Sequence, residues 1–161
     1  MVIKGKRILL FLMLTTLVFA TLSQCNNGRE QTYRKHFDDV SDLVNLNNDD
    51  LTQIVKDIHN NTVSEEEAEK ELTACGVDAK VELQENGNIE FVCVGEGFAS
   101  NSRYYGFFYS IDNDIRRISW YNDDYKSFSE FEQGFYTDDG TDNYIYIEQI
   151  RQHWYYYCAG F

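Results

Sequence analysis

The spacing of apolar residues changes once along this chain. Tyr33, Phe37, Val40 and Val44 recur at intervals of four, three and four, which predicts one face of a helix over about residues 31–45. Asn45, Asn47 and Asn48 interrupt it. Leu51, Ile54, Val55 and Ile58 form a second stripe, which Asn48 or Asp49 can cap and Asn60-Asn61 can end. Ser64-Glu65-Glu66-Glu67 has the pattern of a capping box, with Ser64 accepting from the Glu67 amide and Glu67 reaching back. The three glutamates also sit at the positive end of the helix dipole. Ala68, Leu72 and Cys75 make the inner face of this third helix, and Gly76 stops it. Helices this short and one-sided need a surface to cover.

Beyond residue 79 the period is two. Val81 and Leu83 alternate with Lys80 and Glu82, and Ile89, Phe91 and Cys93 alternate with Glu90 and Val92. Glu85-Asn86-Gly87-Asn88 between them predicts a hairpin turn. Residues 103–111 and 115–121 predict a second strand pair that turns at Asp112-Asn113-Asp114. Residues 135–137, 144–149 and 154–161 predict further strands, and 125–134 a short helix or ordered loop. Helices first and strands after predict an α+β domain over 32–161, with N-terminal short helices packed on one face of an antiparallel sheet of five to seven strands.

The aromatic residues crowd this sheet. All but Phe11, Phe19, Tyr33 and Phe37 lie at Phe91 or later. Tyr105, Phe107 and Tyr109 share one face of their strand, and Tyr104 and Phe108 the other. Trp154 and Tyr156 share one face of the last strand, and Tyr155, Tyr157 and Phe161 the other. A sheet covered on one side shows apolar and polar positions in clean alternation; these strands do not. Either the 122–142 segment or curled strands cover the second face, or one face is an exposed Tyr/Trp surface. Such a surface suits a protein, peptide or glycan ligand. On that reading the binding candidates are Tyr105, Tyr109, Trp120, Trp154 and Tyr156.

The opening residues speak to location. Lys4, Lys6 and Arg7 precede an apolar run over 8–22 broken by Thr15, Thr16 and Thr21. The run falls short of the about 20 residues that cross a membrane, and the pattern over 1–24 is that of a secretory signal peptide. An uncleaved anchor helix is the alternative. Leu22-Ser23-Gln24-Cys25 resembles a lipobox, in which Cys25 is lipidated and ties the chain to a membrane, although Gln24 stands where a small residue is usual. Ordinary cleavage after Ala20 or Ser23 is the other route, leaving a secreted chain. Residues 25–31 then form a polar tether. With this leader, Tyr104-Tyr105-Gly106-Phe107-Phe108-Tyr109-Ser110 and the segment 154–161 resemble parts of small predicted lipoproteins of Gram-positive gut bacteria. The resemblance implies an extracytoplasmic, membrane-tethered domain; that family has no assigned activity, so no catalytic residue follows from it.

Net charge is −13, and loss of residues 1–24, which removes three cations and no acid, makes it −16. That excludes non-specific nucleic-acid binding, which needs Lys and Arg to neutralise phosphates. The charge is a solvated surface, or it steers the chain to a basic partner, as an acidic inhibitor or immunity-type protein would require. Cys75, at a helix end, and Cys93, in the hairpin after it, are the preferred disulfide, ahead of Cys75–Cys158 and Cys93–Cys158. No C-x-x-C is present. His153 and Cys158, five apart, fall on opposite strand faces and make a poor nucleophile pair. Asp138-Asp139-Gly140-Thr141-Asp142 is rich in oxygen but lacks the spacing of a calcium loop. Glu130, Glu132 and Glu148 among aromatics have the composition of a glycan hydrolase cleft, which requires two carboxylates at a set separation. No phosphate loop, G-x-S-x-G or H-E-x-x-H occurs. The expectation is therefore a binding or interaction domain without catalytic signature, with no cofactor and no metal.

Overall fold

A computed structural model describes residues 28–97 and 102–161. The leader expected over 1–24 and the lipidation site Cys25 lie outside the described residues. The chain divides into two units, Met1–Tyr33 and Arg34–Phe161. In the first, residues 28–33 are helical, so residues 28–31 of the expected tether have local structure. There the Thr32 hydroxyl donates to the Gly28 carbonyl at 3.1 Å. No helix among the described residues is long and apolar enough to cross a membrane.

The second unit opens with three helices, α1 (Phe37–Leu46), α2 (Asn48–His59) and α3 (Glu65–Ala74). Their inner faces are the stripes seen in the sequence: Val40 and Val44, then Leu51, Ile54, Val55 and Ile58, then Ala68 and Leu72. The capping box at Ser64 closes in both directions. Past the end of α3, Val77 N–H donates to Leu72 O at 2.8 Å and Gly76 N–H to Thr73 O at 3.0 Å. This reversal needs a positive φ, which Gly76 supplies at 81°.

Among the described residues seven strands follow: β1 (Lys80–Leu83), β2 (Ile89–Glu96), β3 (Arg103–Tyr109), β4 (Ser129–Glu130), β5 (Phe135–Asp138), β6 (Tyr144–Arg151) and β7 (Trp154–Gly160). They form one sheet in the order β1-β2-β3-β7-β6-β5-β4, with every pair antiparallel. The fold is α+β, with the helices N-terminal to the sheet. One outer edge is shielded: on β1, the Val81 and Leu83 amides donate to Glu69 and Glu65 of α3 at 3.1 and 2.7 Å. Acidic side chains thus occupy the bonds an added strand would use.

One expected strand is absent. Residues 115–121 do not pair with β3, because β2 and β7 already occupy both of its sides. Instead, Ile115–Arg117 forms a 3-10 turn, with the Asp114 carboxylate accepting from the Arg116 amide at 3.0 Å. The chain must travel from the sheet centre to its far edge, and it does so across the second face. Ile118 and Tyr125 of this crossing segment bury themselves against Phe108, Ile145, Ile147, Tyr155, Tyr157 and Ala159. The first face carries Phe91, Tyr105, Phe107, Trp154 and Tyr156 beneath the helices, where Phe37 of α1 meets the Tyr156 ring edge-on at 5.6 Å. The sheet is aromatic on both faces because both faces are covered.

Candidate functional site

Strand alternation and sheet register separate the five aromatic candidates. Tyr105, Trp154 and Tyr156 lie on the helix-covered face and are 1%, 2% and 0% exposed. They form core, and no ligand reaches them in the folded state. Tyr109 shares that face at its rim, half-buried, stacked on His153 at 5.5 Å and meeting His59 at 6.3 Å. Trp120 belongs to the crossing segment on the opposite face and is half-buried. The candidates therefore do not form one surface.

Around Trp120 the structure does form a site. A groove of about 400 Å³ is lined by Trp120, Tyr104, Val92 and Cys93, with Asp78, Lys80 and Glu82 at its rim. This size falls within the range of small-molecule pockets. Its walls are fixed from below. Trp120 meets Tyr104 at 5.4 Å, Tyr157 at 5.1 Å and Phe161 at 5.3 Å, each nearer perpendicular than parallel, an arrangement favoured by the ring quadrupoles. The preceding residue is clamped too: Ser119 donates to Glu90 of β2 through its amide at 2.6 Å and its hydroxyl at 3.0 Å. Burial raises the Glu90 carboxyl, and the Ser119 bonds oppose that shift. Further along, the side-chain amides of Asn86 and Asn88 donate to Arg117 O at 2.8 and 3.2 Å. The hairpin read as a simple turn therefore also anchors the segment that carries Trp120.

The strand row that contributes Lys80 and Val92 to the groove follows from register. Tyr157, Gly106, Val92 and Lys80 are successive neighbours across β7, β3, β2 and β1. Gly106 leaves room above β3, and the Tyr157 ring extends over it. The Tyr157 hydroxyl lies 2.9 Å from where a Gly106 side chain would begin. It is buried, with no hydrogen-bond partner among the described residues. Beside Val92, the register of β2 shifts at Cys93, a bulge of the kind that re-aims side chains next to binding sites.

No family model, curated protein or solved structure matches the chain. The site is defined by its geometry alone.

Other candidate chemistry is used internally. Glu148 is buried and accepts from Arg34 at 2.6 and 3.0 Å and from the Tyr146 hydroxyl at 2.8 Å. Glu130 and Glu132 are exposed near the sheet edge, and none of the three lines the groove. Asp139 accepts from Thr141 and Asn143 within its own turn, and Asp138 pairs with Lys126. Among the described residues, no three His, Cys, Asp or Glu side chains are grouped to hold a metal ion. His153 spends its ring on the Ser110 carbonyl at 2.8 Å. A second open cleft, of about 590 Å³, lies at the sheet end between Glu96, Arg103, Asp142 and Phe161. Its Glu96 is engaged by Lys35 at 2.6 Å.

Cys75, Cys93 and Cys158 are free thiols here, and the preferred Cys75–Cys93 bridge is not formed. The Cys75 thiol lies 3.9 Å from Asp50, while that of Cys93 is directed at the Phe91 carbonyl, 3.8 Å away. Burial pushes the Cys93 thiol up to about 12 and that of Cys158 to about 11, from the usual 9.0. Their folded values lie above their unfolded ones. The stability they contribute is therefore complete below pH 9 and is lost as pH rises through 11 to 12, because the unfolded chain ionises first. Melting followed by circular dichroism under reducing conditions should show a level Tm from neutral pH to 9 and a decline above it. A Tm that holds level to pH 12 contradicts this account.

Sequence reasoning missed Tyr104, Lys80 and Glu82 as members of one site with Trp120. The alternation already separated Tyr104 from Tyr105 on β3, and Tyr157 from Trp154 and Tyr156 on β7. What it lacked was the register that brings β1 and β7 into one row through Gly106.

Proposed function

We propose that this chain is an extracytoplasmic binding domain, tethered to a membrane through Cys25, that takes its ligand in the groove walled by Trp120 and Tyr104. The basic and apolar pattern of residues 4–22 and the Cys25 context support export and tethering. The observation that carries the binding reading is Trp120 itself. It is a half-buried indole held by three rings and lining an open groove. The other tryptophan, Trp154, is core. A large amphipathic ring held in place loses little freedom on binding, so contact with it converts efficiently into affinity.

The test is a comparison of the full chain with Trp120→Ala on glycan and peptide arrays. Wild type should bind at least one class of array ligand, and Trp120→Ala should weaken that binding at least tenfold with an unchanged circular dichroism spectrum. Binding that is indifferent to Trp120→Ala would rule out the groove.

A second reading, inhibition of a basic enzyme, draws on a different surface. Helix α3 carries Glu65, Glu66, Glu67, Glu69 and Glu71 against Lys70 alone. Association through this surface would weaken steeply with salt, whereas stacking on Trp120 would tolerate it.

A further inference from the structure

Resting on the groove reading above, we infer that the Trp120 wall is held by a proton-sensitive latch, in which the Glu90 carboxylate grips Ser119 near neutral pH and loosens when it takes up a proton. Glu90 is 0% exposed, and none of the ion pairs among the described residues involves it. Ser119 engages both of its side-chain oxygens, the amide donating to one at 2.6 Å and the hydroxyl to the other at 3.0 Å. Ser119 directly precedes Trp120, so the grip acts on the groove wall itself. Hydrogen bonds to an ionised acceptor are about twice as strong as neutral ones. A protonated carboxyl keeps one good acceptor and turns its other oxygen into a donor, so the two Ser119 bonds cannot both persist as they are. The groove therefore keeps its wall near neutral pH and releases it in acid.

The surroundings of Glu90 favour the proton. Its register partner on β1 is Glu82, a like charge at the groove rim, while Lys80 stands opposite Val92 instead. Its partner on β3 is Phe108, apolar and buried. Tyr157 of β7 also faces it, and stays neutral because burial and the Glu90 charge both oppose its ionisation. On the crossing segment, Arg117 is engaged by Asp112 at 2.9 Å. Burial and Glu82 raise the Glu90 carboxyl above the usual 4.5, against the opposing pull of the Ser119 bonds. The folded value thus lies above the unfolded one. Stability contributed by such a group is complete below the unfolded value and is lost as pH rises through the folded one. Proton uptake at Glu90 consequently loosens the latch without unfolding the chain, and the two effects can be measured apart.

The test is hydrogen exchange at the Ser119 amide, read by NMR on the full chain and on Glu90→Gln. Glutamine copies the protonated acid, with one acceptor oxygen and one donor. At neutral pH, Glu90→Gln should lower Ser119 protection about tenfold, the step from a charge-assisted to a neutral bond. Exchange in β3 and β7 should not change, and Tm should stay level or rise because a buried charge is gone. The difference between the two chains should close on acidification, with a midpoint above 4.5. Any effect of His59, which meets Gly87 O at 2.6 Å in the hairpin, acts on both chains and cancels in the ratio. Equal protection at neutral pH, or a difference that does not close, overturns the latch. A second measurement stays within the wild type: the Glu90 carboxyl carbon and the Ser119 amide should shift with one shared midpoint, and separate midpoints overturn the latch as well. If the exchange results hold while array binding is indifferent to Trp120→Ala, the latch stands and the groove reading falls. If binding needs Trp120 but Ser119 protection ignores Glu90→Gln, the groove reading stands and the latch falls.

Discussion

Gly106→Ala is expected to destabilise the fold by about 3 kcal/mol, the upper end of ordinary overpacking losses. Gly106 sits at the middle of β3, flanked by Val92 of β2 and Tyr157 of β7. A Cβ there would overlap the Phe91 carbonyl oxygen and stand 2.9 Å from the Tyr157 hydroxyl and 3.0 Å from its ring carbon. The tyrosine could yield by rotating, but the carbonyl is backbone and could move only by disturbing the β2–β3 pairing. Overpacking of ordinary cores costs about 1–3 kcal/mol, occasionally more. With a backbone obstacle on one side and a buried ring on the other, the upper part of that range is expected. Set against a typical total of about 5–15 kcal/mol, such a loss should move the urea midpoint sharply. A shift below about 0.5 kcal/mol, the level of an innocuous surface change, would mean that the close approach of β2, β3 and Tyr157 is wrong.

Trp154→Ala should be at least as damaging, and for a different reason. The indole is 2% exposed, packed against Phe91 and Phe107 at 5.9 Å and Tyr109 at 5.1 Å. Truncating a buried aromatic removes its transfer energy and leaves a cavity, together about 3–5 kcal/mol. Urea unfolding of Trp154→Ala, followed through Trp120, should show that loss, while array ligands should still bind the fraction that remains folded. Trp120→Ala should behave in the opposite way, with a smaller stability loss and impaired binding. If Trp154→Ala abolished binding without loss of stability, the helix-covered face would be the functional one and the assignment would reverse.

Strict period-two alternation assigns each strand residue to a face from sequence alone. It separated Tyr104 from Tyr105, and Trp154 and Tyr156 from Tyr155 and Tyr157, and the register keeps those sets apart. The Ser64 capping box and the Asn86-Gly87 turn were equally readable, because each depends on residues within a few positions of one another. The arrangement over 115–121 was not. Ile115, Ile118 and Trp120 look strand-like locally, and only competition for the sides of β3 removes them from the sheet.

Local periodicity and composition are enough for the helix stripes, the strand faces, the helices-then-strands order and the acidic charge. They are not enough to say which aromatic face is sealed by helices, which is crossed by a loop, or where Trp120 meets Tyr157 above Gly106; those emerge only in the assembled sheet. Such contacts join residues far apart in the chain, and hydrophobic burial alone is non-directional. Strand pairing and the space left by one glycine supply the direction.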